Sequence, residues 1–209
     1  PDVILLDWML PIMSGLEFLK ALRGYTGGDK PRIVYCLAER DIGHIAATWW
    51  FRHQCTRLLR RLADPRWRLV LAVAPDGAVL SRAWPGHLPR MAQGAGDLGA
   101  RMARALRACP GPVCLIGADI PGVDRCHIAQ AFAALGDHDA VFGPAPDGGF
   151  WLVGVRHPAR LPRGFFRAVR WSSKHALADS LVTLPGRRIA YAAALDDVDT
   201  AADLARLSD

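Results

Sequence analysis

The sequence predicts an α/β protein, a three-layer sandwich around a mostly parallel sheet, and three observations lead there. Apolar β runs alternate with stretches whose apolar residues recur at helical spacing, the pattern of a sheet covered by helices on both faces. The 209 residues are enough for one α/β core and too few for two complete enzymes. About half the residues are apolar and 22% are charged, an ordinary globular balance.

The strand candidates, in order, are Val3 to Leu6, Arg32 to Cys36, Leu69 to Ala74, Val113 to Gly117, Ala140 to Gly143, Phe150 to Val155, and a short weaker run from Arg188 to Ala192. Between them, 3.6-residue periodicity marks helices through Leu16, Leu19 and Leu22, then Trp50, Leu58, Leu59 and Leu62. The same spacing recurs at Leu98, Met102, Ala105 and Leu106, and at Ile128, Ala131, Phe132 and Leu135. Asp97 is placed to open one helix, and Ser172 or Ser173 stands near the start of a later one.

The net charge of +6 comes mostly from arginines spread along the chain without a basic stripe. Such a mild field suits phosphate-bearing small molecules, and no nucleic-acid partner is expected. The five cysteines form no C-x-x-C pair and no zinc spacing, so each reads as a small buried residue in a reducing compartment. No leader and no membrane-length apolar run is read, and a soluble cytoplasmic protein is expected. The chain starts at Pro1 rather than Met, which points to an amino terminus lying upstream.

Residues 1–46 carry D-W-M-L-P-I-M-S-G from Asp7 to Gly15 after an apolar run, and this segment resembles the middle of a response-regulator receiver domain. The resemblance implies that Asp7 holds the phospho-acceptor position. Three parts of the receiver machinery are missing: the upstream acidic pair, the hydroxyl residue where Leu37 or Ala38 stands, and the later lysine. A carboxylate without metal and lysine stabilises a phosphoryl transfer poorly.

From residue 47 to 209 the motifs change. D-P-R-W-R-L-V-L-A-V (Asp64 to Val73), Q-G-A-G-D-L-G-A-R-M (Gln93 to Met102), G-A-D-I-P-G (Gly117 to Gly122), G-P-A-P-D-G-G-F-W-L-V-G (Gly143 to Gly154) and D-V-D-T-A-A-D-L (Asp197 to Leu204) occur in order. Together they resemble bacterial nucleotide-diphospho-sugar transferases of GT-A type, some of them linked to arsenosugar biosynthesis. The resemblance implies a metal-dependent glycosyltransferase acting on a nucleotide sugar and a small-molecule acceptor, or a nucleotidyltransferase of the same fold using a nucleoside triphosphate. Members of that family open with a strand and a phosphate-cradling loop, and here the receiver-like β-α-β takes that place. Impaired donor binding is therefore expected, and a signalling module phosphorylated on Asp7 or an inactive chimera are the alternatives.

Chemistry assigns roles within the motifs. Asp119 follows an apolar strand and precedes Pro-Gly, at the strand end where open α/β sheets bind ligands. A transferred diphosphate calls for Mg²⁺ or Mn²⁺, which favour carboxylate oxygen. Asp119 is thus the first metal ligand, a turn or cap role being the alternative. The resemblance supplies Asp199 as the second ligand, with Asp197 as the other option; Asp199-Thr200 followed by Asp203 also reads as a helix start.

Gln93, Gly94, Gly96, Asp97 and Arg101 form a glycine-rich entry to a helix whose backbone can approach a nucleotide, with Gln93 toward the base and Arg101 toward phosphate. Tight turning and close packing explain the same glycines. Asp147 lies on a D-G turn, suited to a general base or simply to a hairpin. Gly148, Gly149, Trp171 and Ser172 are the candidate acceptor pocket, packing being the alternative for Trp171. His127 and His175 lie in helical segments near the motifs.

Overall fold

The computed structural model describes residues 1–6, 55–81, 84–118, 120 and 122–195. Seven strands form one sheet: β1 (Asp2–Leu6), β2 (Arg68–Val73), β3 (Arg90–Ala92), β4 (Val113–Gly117), β5 (Ala140–Pro144), β6 (Phe150–Val155) and β7 (Ile189–Tyr191). Their order is β3-β2-β1-β4-β6-β5-β7. Only β6 is antiparallel to its neighbours β4 and β5, so the other six run the same way. The helices are α1 (residues 55–62), α2 (Leu98–Arg107), α3 (Arg125–Ala134) and α4 (Ala176–Val182), with 3₁₀ turns at Asp76–Leu80 and Pro158–Arg160.

β1 lies between β2 and β4, Leu6 standing opposite Ala72 on one side and Gly117 on the other. A strand in this position is covered on both faces, which is why Val3, Ile4 and Leu5 are all apolar and buried. Side chains alternate between two cores. Val3, Leu5, Leu69, Leu71, Cys114 and Ile116 meet α1 and α3 through Leu58, Leu62, Ile128 and Ala131. Ile4, Val70, Ala72, Val113 and Leu115 meet Met102, Ala105 and Leu106 of α2 together with Phe165, Phe166 and Ala176. Helices thus cover both faces, as expected. Fully burying one such Leu or Ile contributes roughly 1.5–3 kcal/mol.

The expected runs map onto strands with shifted ends. Leu69–Ala74 becomes Arg68–Val73, Ala140–Gly143 gains Pro144, and Arg188–Ala192 shrinks to Ile189–Tyr191. β3 had no expected counterpart, because three residues flanked by Pro89 and Gln93 make no apolar run. The expected strand Arg32 to Cys36, the helix through Leu16 and Trp50 lie outside the described residues.

Cys55, Cys109 and Cys114 are buried as expected, whereas Cys126 is exposed in the first turn of α3. Burial, helped by the Asp2 charge, pushes the Cys109 thiol up to about 12, and burial alone raises Cys114. The thiolate is the reactive form. Brief alkylation of the native protein is therefore expected to label Cys126 well before Cys109 or Cys114, as peptide mass spectrometry would show. Among the described residues no helix is long and apolar enough to cross a membrane.

Candidate functional site

Six strands ending along one sheet edge bring their following loops to that edge. After β2 comes Asp76, after β3 the Gln93 to Asp97 loop, after β4 Ala118, Ile120 and Gly122, after β5 the Asp147 turn, and after β7 the run to Leu195. Asp7, which follows β1 in sequence, and Asp119, Asp197 and Asp199 lie outside the described residues. The described residues nearest to them are Leu6, Ala118, Ile120 and Leu195. A Cβ on Gly122 would sit 3.9 Å from Leu195 Cδ2, and Leu195 N donates to Pro144 O at 3.3 Å. The loops after β4, β5 and β7 therefore touch. Among the described residues no group of three or more His, Cys, Asp or Glu side chains could hold a metal ion.

The glycine-rich loop is held from two sides. Gly94 and Gly96 adopt φ of +76° and +110°, left-handed conformations that glycine reaches without strain. Gly94 N donates to Asp76 Oδ1 at 2.9 Å. From α2, the Arg104 guanidinium donates to the carbonyls of Gln93 and Ala95, and Arg101 Nε donates to Gly96 O at 2.9 Å. Asp97 caps α2 by accepting from Ala100 N at 2.8 Å. Asp97→Ala is expected to lower stability by about 1 kcal/mol, read from the urea midpoint.

Gln93 departs from expectation. Its side chain is 1% exposed and its Nε2 donates to Ala72 O at 2.9 Å. The amide stitches the end of β3 to β2, which takes the Gln93 side chain out of the surface of the loop. Asp76 was missed by sequence reasoning, although Ala74-Pro75-Asp76-Gly77, just after a strand end, repeats the Ala145-Pro146-Asp147-Gly148 of the Asp147 turn.

The Asp147 turn joins β5 to β6. Asp147 Oδ1 accepts from Gly149 N at 2.8 Å, Gly148 N donates to Ala145 O, and Ala145 N donates to Gly149 O. Gly148 has φ of +87° and no space for a side chain, since a Cβ there would lie 2.6 Å from Cα and the carbonyl carbon of Lys174. Leu177 N donates to Gly148 O at 3.0 Å. Asp147, Gly148 and Gly149 are in this way docked on the segment that carries Trp171 and Ser172.

Trp171 joins the motifs by packing. Its ring meets Phe150 and Phe166 edge-on at 6.2 and 5.5 Å. A Cβ on Gly99 would come within 2.9 Å of its Cζ2, so it bridges the first turn of α2 and the strand that follows the Asp147 turn. Ser172 is exposed with φ of 53°. Ser173 Oγ accepts from His175 N at 3.2 Å, just ahead of α4. Arg170 closes the segment, its backbone N, Nε and Nη2 donating to the Asp179 carboxylate at 2.8–3.0 Å.

The Arg170 guanidinium, followed by its backbone N–H, holds Asp179 well below the usual carboxylate range. A depressed folded value means that the clasp is in force above the unfolded pKa and is lost only as pH falls through the lowered one. His127 Nδ1 lies 2.7 Å from Asp124 Oδ1 in a capping box, with its ring edge-on to Trp151 at 6.1 Å. The His127 backbone N–H is the main cause of the lowered Asp124 pKa. These residues fix the turn after β4 against β6.

The chain is similar to a presumptive nucleotide-diphospho-sugar transferase from Desulfovibrio desulfuricans G20. The two are 25% identical with a TM-score of 0.76, over 99% of this chain and 85% of that one. The molybdopterin-guanine dinucleotide biosynthesis protein A of Archaeoglobus fulgidus shares the fold at 15% identity and a TM-score of 0.55, over 99% and 96% of the two chains. The 4-diphosphocytidyl-2C-methyl-D-erythritol synthase of Anaerococcus prevotii DSM 20548 does so at 10% identity and 0.55, over 100% and 98%. No curated protein matches the chain by sequence. The model of a family described as an uncharacterized protein conserved in bacteria (DUF2064) matches residues 58–173, more than half of the chain, and the chain belongs to that family.

Proposed function

We propose that this protein is a metal-dependent glycosyltransferase that moves a sugar from a nucleoside diphosphate to a small hydroxyl-bearing acceptor. The observation that carries the reading is the docking of the Asp147 turn onto the Trp171 to Lys174 segment, at the same sheet edge as the glycine-rich loop. Likeness to the Desulfovibrio protein supports it, as does the resemblance to transferases linked to arsenosugar biosynthesis. In this reading residues 1–46 are a truncated receiver-like segment that supplies the first strand to a transferase domain spanning 47–209.

The glycine-rich loop, Gln93 to Asp97, approaches the nucleotide through its backbone, with Arg101 on the phosphate side. Asp119 and Asp199 would hold Mg²⁺ or Mn²⁺; two carboxylates suit a hard cation, which when bound would neutralise the diphosphate. The nearest contact that supports the pairing is that of Gly122, three residues after Asp119, with Leu195, four residues before Asp199. The acceptor sits between Gly148, Gly149, Trp171 and Ser172. Asp147 takes the acceptor hydroxyl proton as that oxygen bonds to the anomeric carbon and the nucleoside diphosphate departs with the electrons of the broken bond.

Nucleotidyl transfer is the second reading, favoured by the shared fold with the Anaerococcus synthase. There the attack falls on the α-phosphorus of a nucleoside triphosphate and pyrophosphate leaves. Incubation with Mn²⁺, a panel of nucleotide sugars or nucleoside triphosphates, and mixed acceptors separates the two readings. Release of nucleoside diphosphate from a nucleotide sugar supports glycosyl transfer, and pyrophosphate from a triphosphate supports the second. Turnover of neither class by folded protein would contradict both.

A further inference from the structure

Beside the glycine-rich loop, an open groove of about 740 Å³ runs between α2 and residues 163–168. Arg104 and Arg107 line one side, Arg163 and Arg167 the other, and Asp97 is the one lining carboxylate among the described residues. That carboxylate is engaged in capping α2. Arg66, Arg68, Arg170 and Arg187 each face an aspartate elsewhere, whereas Arg163 and Arg167 have no carboxylate partner among the described residues. Arg104 donates to the carbonyls of Gln93 and Ala95, and Arg107 Nη2 to Pro162 O at 2.6 Å, so Arg163 and Arg167 are the lining guanidiniums most open to an incoming anion.

The walls are held rigidly. A Cβ on Gly99 would lie 2.8 Å from Phe166 O, so the wall segment rests directly on α2. Phe166 and Ala168, both lining the groove, have φ of 66° and 60°. Such left-handed residues other than glycine are strained, and strain of this kind concentrates at binding sites. Phe166 N donates to Thr183 Oγ1 at 3.2 Å, fixing the segment from behind.

We propose that this groove binds a short inorganic oligophosphate, separately from any nucleotide at the strand ends. Guanidinium forks match phosphate oxygens in pairs. Single-stranded nucleic acid, the other phosphate-rich candidate, needs aromatic faces for its bases, but Phe165 and Phe166 are 4% and 1% exposed and offer none.

The test is calorimetric titration of tripolyphosphate, without divalent metal or nucleotide, into the full chain, an Arg163→Ser/Arg167→Ser variant and Asp119→Ala. Both arginines are exposed, and an unchanged urea midpoint would verify folding of the variant. Arg104 is left in place because it braces the glycine-rich loop. The expected result is saturable binding at one site, weakened about 10-fold or more in the double variant, as loss of charge-assisted contacts implies, and unchanged in Asp119→Ala. Absent saturable binding, equal binding by the double variant, loss in Asp119→Ala, or tighter binding of an oligouridylate than of tripolyphosphate would each overturn the proposal. The Asp119→Ala arm keeps this outcome separable from failure of the transferase reading.

Discussion

Asp147→Asn is expected to lower kcat by about 10²- to 10⁴-fold, the range that a positioned general base contributes, with little change in donor affinity. The substitution is informative because it keeps the turn. Asp147 Oδ1 accepts the Gly149 N–H, and an asparagine carbonyl oxygen can accept the same bond. What disappears is the carboxylate's capacity to take a proton. Stopped-time assays across acceptor concentrations would read the change. Wild-type turnover by Asp147→Asn would reduce Asp147 to a hairpin residue, the alternative that its D-G sequence also allows.

The second large effect is at the neighbouring glycine. Gly148→Ala is expected to cost about 3 kcal/mol, combining roughly 1–2 for a side chain in the left-handed region with about 1–3 for overpacking. The new methyl group meets backbone, namely Cα and the carbonyl carbon of Lys174 at 2.6 Å. No rotamer change can relieve such a contact. Either the Asp147 turn or the Trp171 to Lys174 segment has to retreat, breaking the Leu177 N to Gly148 O bond. Urea unfolding reads the stability loss, and the acceptor KM should rise together with the fall in kcat, because both halves of the proposed pocket move. An unchanged urea midpoint would contradict the close packing described here.

How legible the fold was in the sequence depended on local signal. Apolar runs marked β1, β2, β4, β5 and β6, because strands buried on both faces must be apolar throughout. β3 escaped notice, since its three residues Arg90, Met91 and Ala92 are ordered by pairing with β2 rather than by their own pattern. Asp97 was readable as a cap from its position before Leu98, and it does cap. The inward turn of Gln93 was not readable, because an amide serves a base edge and a backbone carbonyl equally well.

The site was legible as motifs but not as contacts. Nothing local links Gly99 to Trp171, or Arg170 to Asp179, since these pairings form only when the segment after β6 folds across α2. Sequence could name Gly148 and Trp171 as neighbours in function, while the steric reason lies in the Lys174 backbone. Cys126 reads like the other cysteines in composition, and only its place at the open end of α3 exposes it.

The most direct test of the central claim is a calorimetric titration of Mn²⁺ with nucleoside diphosphates and nucleotide sugars into the wild-type protein and Asp119→Ala. Saturable binding of one nucleotide class that requires Mn²⁺ and is lost in Asp119→Ala is the predicted result. Absence of binding by every member of the panel to folded wild-type protein, or equal binding by Asp119→Ala, would contradict a metal-dependent donor site at the carboxyl edge of this sheet.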